Sequence, residues 1–235
     1  GRRFLAYAQR ILSLFDDMER ELRSGDALGL IRVGASMTIG TVFLPEYVRE
    51  FNRLKPGVDV RATVGPTHFL ESRLLDNSLD IALVEGAVES QVLVAREYMK
   101  DNLVVICPAR GRYKNGQEIS LGEFAGLRLA LREEGSGTRE IVGREAGRAG
   151  ISLEPVWEAA SSVALLNAVK CGLASAVMPL RLASKAIDRG EVVPVRVRGL
   201  DFIRGFYIVH HREKLFTPLM ADFVKLCVDM GKREA

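Results

Sequence analysis

The chain contains 235 residues, 48% of them hydrophobic and 27% charged, and its formal net charge at pH 7 is +3. This composition is typical of a globular protein with one large domain or two small ones. No apolar run approaches the roughly eighteen residues of a membrane-spanning helix, the N-terminus has no signal-peptide hydrophobic region, and no basic stripe predicts direct binding to nucleic acid.

Residues 1–24 are predicted to form a linker and dimerisation helix. Its apolar residues alternate by four and three positions, which is the heptad spacing that lets two helices pack side by side. They are Phe4, Ala8, Ile11, Phe15, Met18 and Leu22, with Leu5 and Leu12 widening the stripe. The alternative is an amphipathic helix that lies on its own domain. No initiator methionine precedes Gly1, so we expect a fragment or a processed chain.

Residues 29–108 are predicted to alternate between strands and helices. Short apolar runs predict strands at residues 30–35, 58–64, 79–86 and 102–108, and helices are expected at about 42–54 and 67–76. A small polar turn, residues 36–40, is expected between the first strand and the first helix. Short connections between alternating elements favour parallel strands in an α/β layer.

Residues 127–179 repeat this order of elements. Strands are predicted at residues 127–131, 153–157 and 173–179, one helix follows the segment REEGSGTR, and another begins at Ser161 or Ser162. Thr67 precedes Leu79 by the same number of residues as Ser161 precedes Leu173. This spacing, together with the repeated element order, predicts an internal duplication.

A late strand and a C-terminal helix complete the chain. We expect an α/β fold of two Rossmann-like lobes joined by two crossover strands. Residues 29–106 with 209–235 are expected to form lobe I, and residues 107–208 to form lobe II. The hinge residues are predicted where the crossover strands join the two halves: Cys107, Pro108, Gly205 and Phe206.

The segment REEGSGTR, residues 132–139, has the residue types of an anion-binding turn at a helix start. Glycines let backbone N–H groups point towards a ligand, hydroxyls add donors, and the arginine adds positive charge. The candidate ligand-binding residues are Gly135, Ser136, Gly137, Thr138 and Arg139. The spacing differs from the GxxxxGK[ST] loop that binds nucleoside triphosphates. The alternative is a glycine turn with a capping hydroxyl.

Residues 36–40 occupy the equivalent place in the first half, so both turns are expected to line one ligand cleft. The candidate residues there are Ser36, Met37, Thr38 and Ile39. Ser36 or Thr38 could instead only cap the next helix. Thr67 and Ser161 form a second matched pair, and each is expected to cap its helix or to turn its hydroxyl into the cleft. Glu85 could accept hydrogen bonds from a ligand, although its charge would oppose an anion.

Little in the chain predicts catalysis or metal binding. The GxSxG and HExxH motifs are missing, and the three cysteines, Cys107, Cys171 and Cys227, include no CxxC pair. Widely spaced cysteines in apolar sequence predict buried free thiols in a reducing compartment, and therefore a cytoplasmic protein without a metal or cofactor. The enzyme alternative would use Glu85 or His210 as a general base.

Several segments resemble those of LysR-type bacterial transcriptional regulators. GRRFLAYAQRILSLFDDMERELR resembles the linker helix that follows the DNA-binding domain, and LGLIRVGASMTIGTVFLPEYVREFNRLKPGVDV resembles the first strand and helix of the effector domain. LLDNSLDIALVEG resembles the LxxGxLDxxLVEG element, with Asn77 and Ser78 where a glycine is common. SSVALLNAVKCGLASAVMP resembles the late helix and strand. REEGSGTR resembles the branch that contains sulfur-metabolism and carbon-fixation regulators.

The resemblance implies a periplasmic-binding-protein type II-like effector domain without enzymatic activity, and without the winged helix-turn-helix that binds DNA in the family. It implies that the cleft is lined by Ser36, Thr38, Thr67 and Glu85 in one lobe and by Ser136, Thr138 and Arg139 in the other. A small anion or carboxylate would bind there and shift a homodimer or tetramer to control transcription. The alternative is a secreted solute-binding protein of similar fold.

Overall fold

The computed structural model describes residues 1, 4, 7, 8, 11, 12, 15, 18, 29–86 and 88–234. The chain divides into two compact units: unit 1 comprises residues 1–99 and 205–235, and unit 2 comprises residues 100–204. The chain therefore passes from one unit to the other twice, once between Met99 and Lys100 and once between Arg204 and Gly205. The lobe boundaries expected from the sequence stay predictions.

Unit 1 contains a sheet of five strands, the last of them the first part of β4, with helices that follow its strands. Its elements are β1 (Leu30–Ala35), α1 (Met37–Val42), α2 (Leu44–Leu54), β2 (Asp59–Val64), α3 (Thr67–Leu75), β3 (Ile81–Glu85), the first part of β4 (Leu93–Pro108), most of β10 (Ile203–His211) and α8 (Pro218–Glu234). The strand order is β2-β1-β3-β10-β4. β1 pairs in parallel with β2 and β3, whereas β10 pairs antiparallel with β3. Parallel pairing brings the carboxyl ends of β1 and β3 to the same edge of the sheet.

The core of unit 1 explains why these segments fold as they do. β3 is buried along its whole length, as expected of a central strand covered on both faces. On α2, Leu44, Tyr47 and Phe51 recur at helical spacing and are all buried. Phe51 meets Phe223 of α8 edge to face, with 5.1 Å between ring centroids. The C-terminal helix therefore packs on the first half of the chain.

Unit 2 repeats the pattern with additional elements. They are β5 (Gln117–Ile119), α4 (Leu121–Ala125), β6 (Leu129–Arg132), α5 (Gly137–Arg148), β7 (Pro155–Ala159), α6 (Ser162–Lys170), β8 (Ser175–Pro179), α7 (Leu180–Asp188) and β9 (Val192–Val197). β6 pairs in parallel with β7 and β8, and the second part of β4 pairs antiparallel with β8 and β9. In each unit a nine-residue helix, α3 or α6, precedes a buried five-residue strand, as the duplication predicts.

Several local predictions were wrong. Residues 36–40 form no turn, because α1 begins at Met37. Gly40 belongs to this helix, and a Cβ there would lie 2.6 Å from Cγ1 of Val64, so the glycine serves close packing of α1 against β2. Thr67 is not a cap, since Pro66 is the N-cap residue of α3. Sequence reasoning also missed β5, α4, α7 and β9, the last of which contains Pro194, a residue that weakens a strand pattern.

Some side chains differ from expectation in their exposure. The apolar residues of α3 are not all buried: Leu70 and Leu74 are buried, whereas Phe69 and Leu75 are 39% and 42% exposed. Cys107 and Cys227 are buried free thiols, whereas Cys171 is exposed because it follows the last turn of α6. Trp157, on β7, is 45% exposed and is not a core residue.

The N-terminal segment is helical at each of its described positions from residue 4 to residue 18. Its apolar residues are largely exposed, with exposed fractions between 46% and 78%: Phe4, Tyr7, Ile11, Leu12, Phe15 and Met18. Leu5 and Leu22 of the predicted stripe lie outside the described residues. Among the helices that the structure describes, none is long and apolar enough to cross a membrane.

Candidate functional site

Glu85, the last residue of β3, organises the polar residues of unit 1. Its Oε1 accepts a hydrogen bond of 2.7 Å from the backbone N–H of Thr38 and one of 3.0 Å from the hydroxyl of Ser36. Glu85 is only 5% exposed. Ser36 is the N-cap residue of α1, but its side chain makes no capping hydrogen bond. The carboxylate of Glu85 therefore caps this helix in place of the serine hydroxyl.

Thr67 also lies next to Glu85. Its hydroxyl donates to the backbone carbonyl oxygen of Glu85 at 3.2 Å. Ser36, Thr38, Thr67 and Glu85, all predicted from sequence, thus form one hydrogen-bonded cluster, which we call the Glu85 cluster. Ile39 is fully buried in the core, so only its backbone could contact a ligand. Whether any of these residues binds an effector stays a prediction.

Tyr98 of β4 lies in the interior of unit 1, and its electrostatic neighbours include Glu85. Burial raises the pKa of Tyr98 well above its usual range, and Tyr47, Cys227 and Glu85 raise it further. The phenol therefore stays neutral at physiological pH and cannot act as a base.

In unit 2, the REEGSGTR segment begins α5. Gly135 has a φ of +77°, which glycine adopts without steric cost, and the N–H of Ser136 donates to the carbonyl oxygen of Glu133 at 3.2 Å to close the turn. Ser136 is the N-cap residue of α5 and is 8% exposed, yet its side chain makes no capping hydrogen bond. A serine at this position without a capping bond keeps its hydroxyl for another partner.

Thr138 contacts a buried ion pair that sequence reasoning missed. Arg204 donates through Nη1 to the Thr138 hydroxyl oxygen at 2.8 Å, and through Nε and Nη2 to Oδ2 of Asp101 at 2.9 and 2.7 Å. The side chains of Arg204 and Asp101 are 0% and 2% exposed. One sequence signal could have revealed this pair: a single arginine lies within the apolar run 203–209, and a buried arginine requires an anionic partner.

Two further arginines lie in the REEGSGTR segment. Nη1 of Arg139, in the first turn of α5, is buried and has no hydrogen-bond partner among the residues that the structure describes. Arg132 ends β6 and pairs with Glu133, and its Nη1 lies 3.4 Å from Oγ of Ser162. Ser161 caps α6 as predicted, since its hydroxyl accepts from the N–H of Ala164 at 3.3 Å.

The predicted hinge residues lie in β4 and β10. Cys107 is buried, and the hydroxyl of Ser175 donates to its sulfur at 3.3 Å. Burial raises the pKa of the Cys107 thiol, so the thiol is neutral at physiological pH. A Cβ on Gly205 would lie 2.6 Å from Oε2 of Glu97, and Phe206 is fully buried. A hinge role for these residues and for Pro108 stays a prediction. No group of three or more possible metal ligands occurs among the described residues.

The family model described as the LysR substrate binding domain matches residues 24–232. The chain belongs to this family. The RuBisCO operon transcriptional regulator of Allochromatium vinosum is 28% identical over 235 residues, an alignment that covers 99% of this chain and 78% of the relative. This likeness agrees with the branch of LysR regulators that REEGSGTR indicated.

Solved LysR effector domains share the fold. The regulatory domain of Synechocystis PCC6803 CcmR in complex with 2-PG superposes with a TM-score of 0.79 at 22% identity, covering 87% of this chain and 98% of that one. The effector binding domain of QuiR in complex with shikimate gives a TM-score of 0.76 at 18% identity, again covering 87% and 98%. The chain thus has the periplasmic-binding-protein type II fold of LysR effector-binding domains.

Membership of the LysR family decides between the functional classes considered from sequence. The chain is the effector-binding domain of a LysR-type regulator, and the members of this family, such as the Allochromatium vinosum relative, are transcriptional regulators rather than enzymes. LysR regulators bind small-molecule effectors and function as oligomers. The solute-binding alternative gains no support from these relatives.

Proposed function

We propose that this domain senses a small carboxylate or similar anion, and that the REEGSGTR segment of unit 2 binds the anionic group. The observation that carries this proposal is the buried Nη1 of Arg139, which has no hydrogen-bond partner among the described residues. A buried guanidinium nitrogen without a partner is costly unless an acceptor binds it. The segment also offers the hydroxyl of Ser136, which makes no capping bond, at the start of a twelve-residue helix.

The two units differ in the donors that they offer to an anion. In unit 1, the carboxylate of Glu85 already accepts from the backbone N–H of Thr38 and from Ser36. An anionic ligand would have to compete with this carboxylate. In unit 2, the corresponding helix start contains arginine and serine donors instead. This difference in hydrogen-bond donors supports unit 2 as the part that binds the negative charge of the effector.

Two structural neighbours bind ligands of the proposed class. QuiR was solved with shikimate and CcmR with 2-PG, and both ligands are small organic anions. Carboxylate and phosphate oxygens accept charge-assisted hydrogen bonds from arginine and from helix N-termini. This agreement supports an organic anion as the effector of the present domain.

We further propose that the domain acts in the cytoplasm as part of a homodimer or tetramer, and that an N-terminal DNA-binding domain joins it to the promoter. The exposed apolar residues of the N-terminal helical segment, such as Phe4, Ile11 and Phe15, support pairing with a second copy. An effector that binds one conformation more tightly shifts the population towards it, and the helical segment transmits this shift.

Thermal-shift measurements with shikimate, 2-phosphoglycolate and sulfate test the anion-binding proposal. We expect at least one of these anions to raise the Tm of the wild-type protein, and Ser136→Ala and Arg139→Gln each to remove most of that rise. Arg148→Gln is the control, because Arg148 lies at the opposite end of α5 and donates to Glu145 at 3.0 Å. No rise with any anion, or an equal rise in all variants, would contradict the proposal.

A further inference from the structure

Arg132 and Glu133 form a bidentate ion pair at the end of β6. Nε of Arg132 donates to Oε2 of Glu133 at 2.7 Å, and Nη2 donates to Oε1 at 2.9 Å. The Arg132 side chain is 5% exposed, whereas that of Glu133 is 29% exposed. The pair therefore consists of a buried cation and a carboxylate that partly faces solvent.

The position of the Arg132 guanidinium favours an anion. Its Nη1 lies 3.4 Å from Oγ of Ser162, the first residue of α6. The N-terminus of a helix carries partial positive charge, which adds to the charge of the arginine. The same segment contains Arg139, whose Nη1 has no hydrogen-bond partner among the described residues. The REEGSGTR segment thus holds a buried guanidinium group, that of Arg132, and a second buried guanidinium nitrogen, Nη1 of Arg139, and Glu133 pairs with Arg132.

The bond between Arg132 and Glu133 is one that a ligand can replace. The two residues are neighbours in sequence, so their ion pair connects no distant parts of the fold. The backbone of Glu133 is held separately, because its carbonyl oxygen accepts from the N–H of Ser136 at 3.2 Å. The Glu133 side chain can therefore rotate away while the turn stays closed. An incoming carboxylate would restore the same two parallel hydrogen bonds and would leave no buried charge unpaired.

We infer that Arg132 binds a carboxylate group of the effector, and that Glu133 is an internal competitor that occupies Arg132 in the ligand-free domain. This inference rests on the proposed sensing of an anion by Ser136 and Arg139. A carboxylate fits this edge of the guanidinium, because Nε and Nη2 already bind the two oxygens of the Glu133 carboxylate. A ligand can bind only those molecules in which Glu133 has moved away from Arg132. Glu133 therefore lowers the apparent affinity for the ligand, and it sets the ligand concentration at which the domain responds.

The charge state of Glu133 agrees with this role. Burial raises the pKa of Glu133, but the hydrogen bond and the positive charge of Arg132 outweigh that effect and bring the pKa below its usual value. Glu133 is thus anionic at neutral pH and competes with an anionic ligand for the same cation.

Calorimetric titration with malonate tests the inference, with malonamide as the uncharged counterpart. Glu133→Gln keeps the shape of the side chain and removes its charge. We expect this variant to bind malonate about tenfold more tightly than the wild type, because a larger fraction of molecules presents an accessible guanidinium. Malonamide should not bind either protein, because it has no negative charge to pair with Arg132. Adding Arg132→Gln to the variant should abolish malonate binding.

Glu134→Gln is the matched control, because Glu134 is exposed and its substitution removes the same charge from the same turn. We expect Glu134→Gln to change the Kd for malonate less than twofold. An equal gain in malonate affinity in the two variants would show a general effect of charge and would overturn the inference. An unchanged or weaker malonate affinity in Glu133→Gln would also overturn it. The proposed function would survive that result if Ser136→Ala still abolished the anion-induced rise in Tm, so the two failures are distinguishable.

Discussion

The carboxylate of Glu85 accepts a 2.7 Å hydrogen bond from the backbone N–H of Thr38, so a side chain from β3 caps helix α1. The two residues are 47 positions apart, and the hydroxyl of Ser36 donates to the same oxygen. The first helix of unit 1 is therefore capped by a residue at the end of the neighbouring strand, and the cap connects two elements of the sheet edge.

We expect Glu85→Ala to lower the free energy of unfolding by about 2–3 kcal/mol, because buried donors lose a charged acceptor. Glu85→Gln should cost less, since its amide oxygen can still accept both hydrogen bonds and only the charge is lost. Urea denaturation followed by circular dichroism measures both. The control is Glu154→Gln at an exposed position, for which we expect a change within about 0.5 kcal/mol. A cost for Glu85→Ala no larger than that of the control would refute the capping role.

The buried pair of Arg204 and Asp101 gives a second prediction. Asp101→Asn should lower the free energy of unfolding by about 3–5 kcal/mol, because it removes the charge of the carboxylate that accepts two hydrogen bonds from the buried Arg204 guanidinium. The double replacement of Arg204 by Met and Asp101 by Leu should recover most of this loss. Arg198→Gln serves as control, since the Arg198 side chain is 76% exposed and its ion pair with Glu118 is a surface contact. A double variant as unstable as Asp101→Asn would contradict this account.

Asp80 predicts a specific dependence of stability on pH. Its carboxylate contacts Arg32 at 2.8 Å and Lys214 at 2.6 Å, and its side chain is 7% exposed. Burial raises the pKa of Asp80, but hydrogen bonds and charges from Arg32 and Lys214 outweigh it, so the pKa in the folded state lies below the usual value. The resulting stabilisation is complete above the unfolded-state pKa of about 3.9, and it is lost as the pH falls through the lower folded-state pKa.

We therefore expect Asp80→Asn to have a lower free energy of unfolding than the wild type, by a constant amount between pH 7 and pH 5. Below about pH 4 this difference should shrink, because Asp80 of the wild type becomes protonated. Urea titrations at several pH values measure the difference. Asp59→Asn is the control, because Asp59 is 57% exposed in its contact with Arg61. A difference that stays constant down to pH 2 would contradict the assigned pKa direction.

The N-terminal helical segment gives a prediction about assembly. Phe15 is 53% exposed, and a charged residue there would oppose pairing of two such segments. We expect Phe15→Glu to reduce the dimer fraction measured by size-exclusion chromatography with light scattering. Leu215→Glu is the control, because Leu215 is 70% exposed but lies outside the segment. Equal dimer fractions in all three proteins would refute pairing through Phe15.

Short-range patterns predicted the order of the main elements but not their contacts. The buried strands β1, β3 and β8 were recognisable as short apolar runs. Gly40 suggested a turn because glycine is common in turns, whereas its actual role is to let α1 approach Val64. Such a role depends on a neighbouring strand and is invisible in a local window.

The site was predictable only in part, for the same reason. Hydroxyls and glycines at two helix starts singled out residues 36–39 and 135–139. The pairing of Arg204 with Asp101 joins residues 103 positions apart, and that of Ser36 with Glu85 joins residues 49 positions apart. Pairs so far apart along the chain leave no periodic signal in the sequence. The partners of these polar groups therefore become known only from the fold.

The unequal burial of the three cysteines has a practical consequence. Cys107 and Cys227 are enclosed, and burial raises the pKa of both thiols, whereas Cys171 is exposed. A maleimide dye should therefore label the native sequence at one position, immediately after helix α6. No cysteine needs to be removed first. Fluorescence from that single dye would report how unit 2 responds during a ligand titration, in a protein whose candidate binding residues are all unaltered.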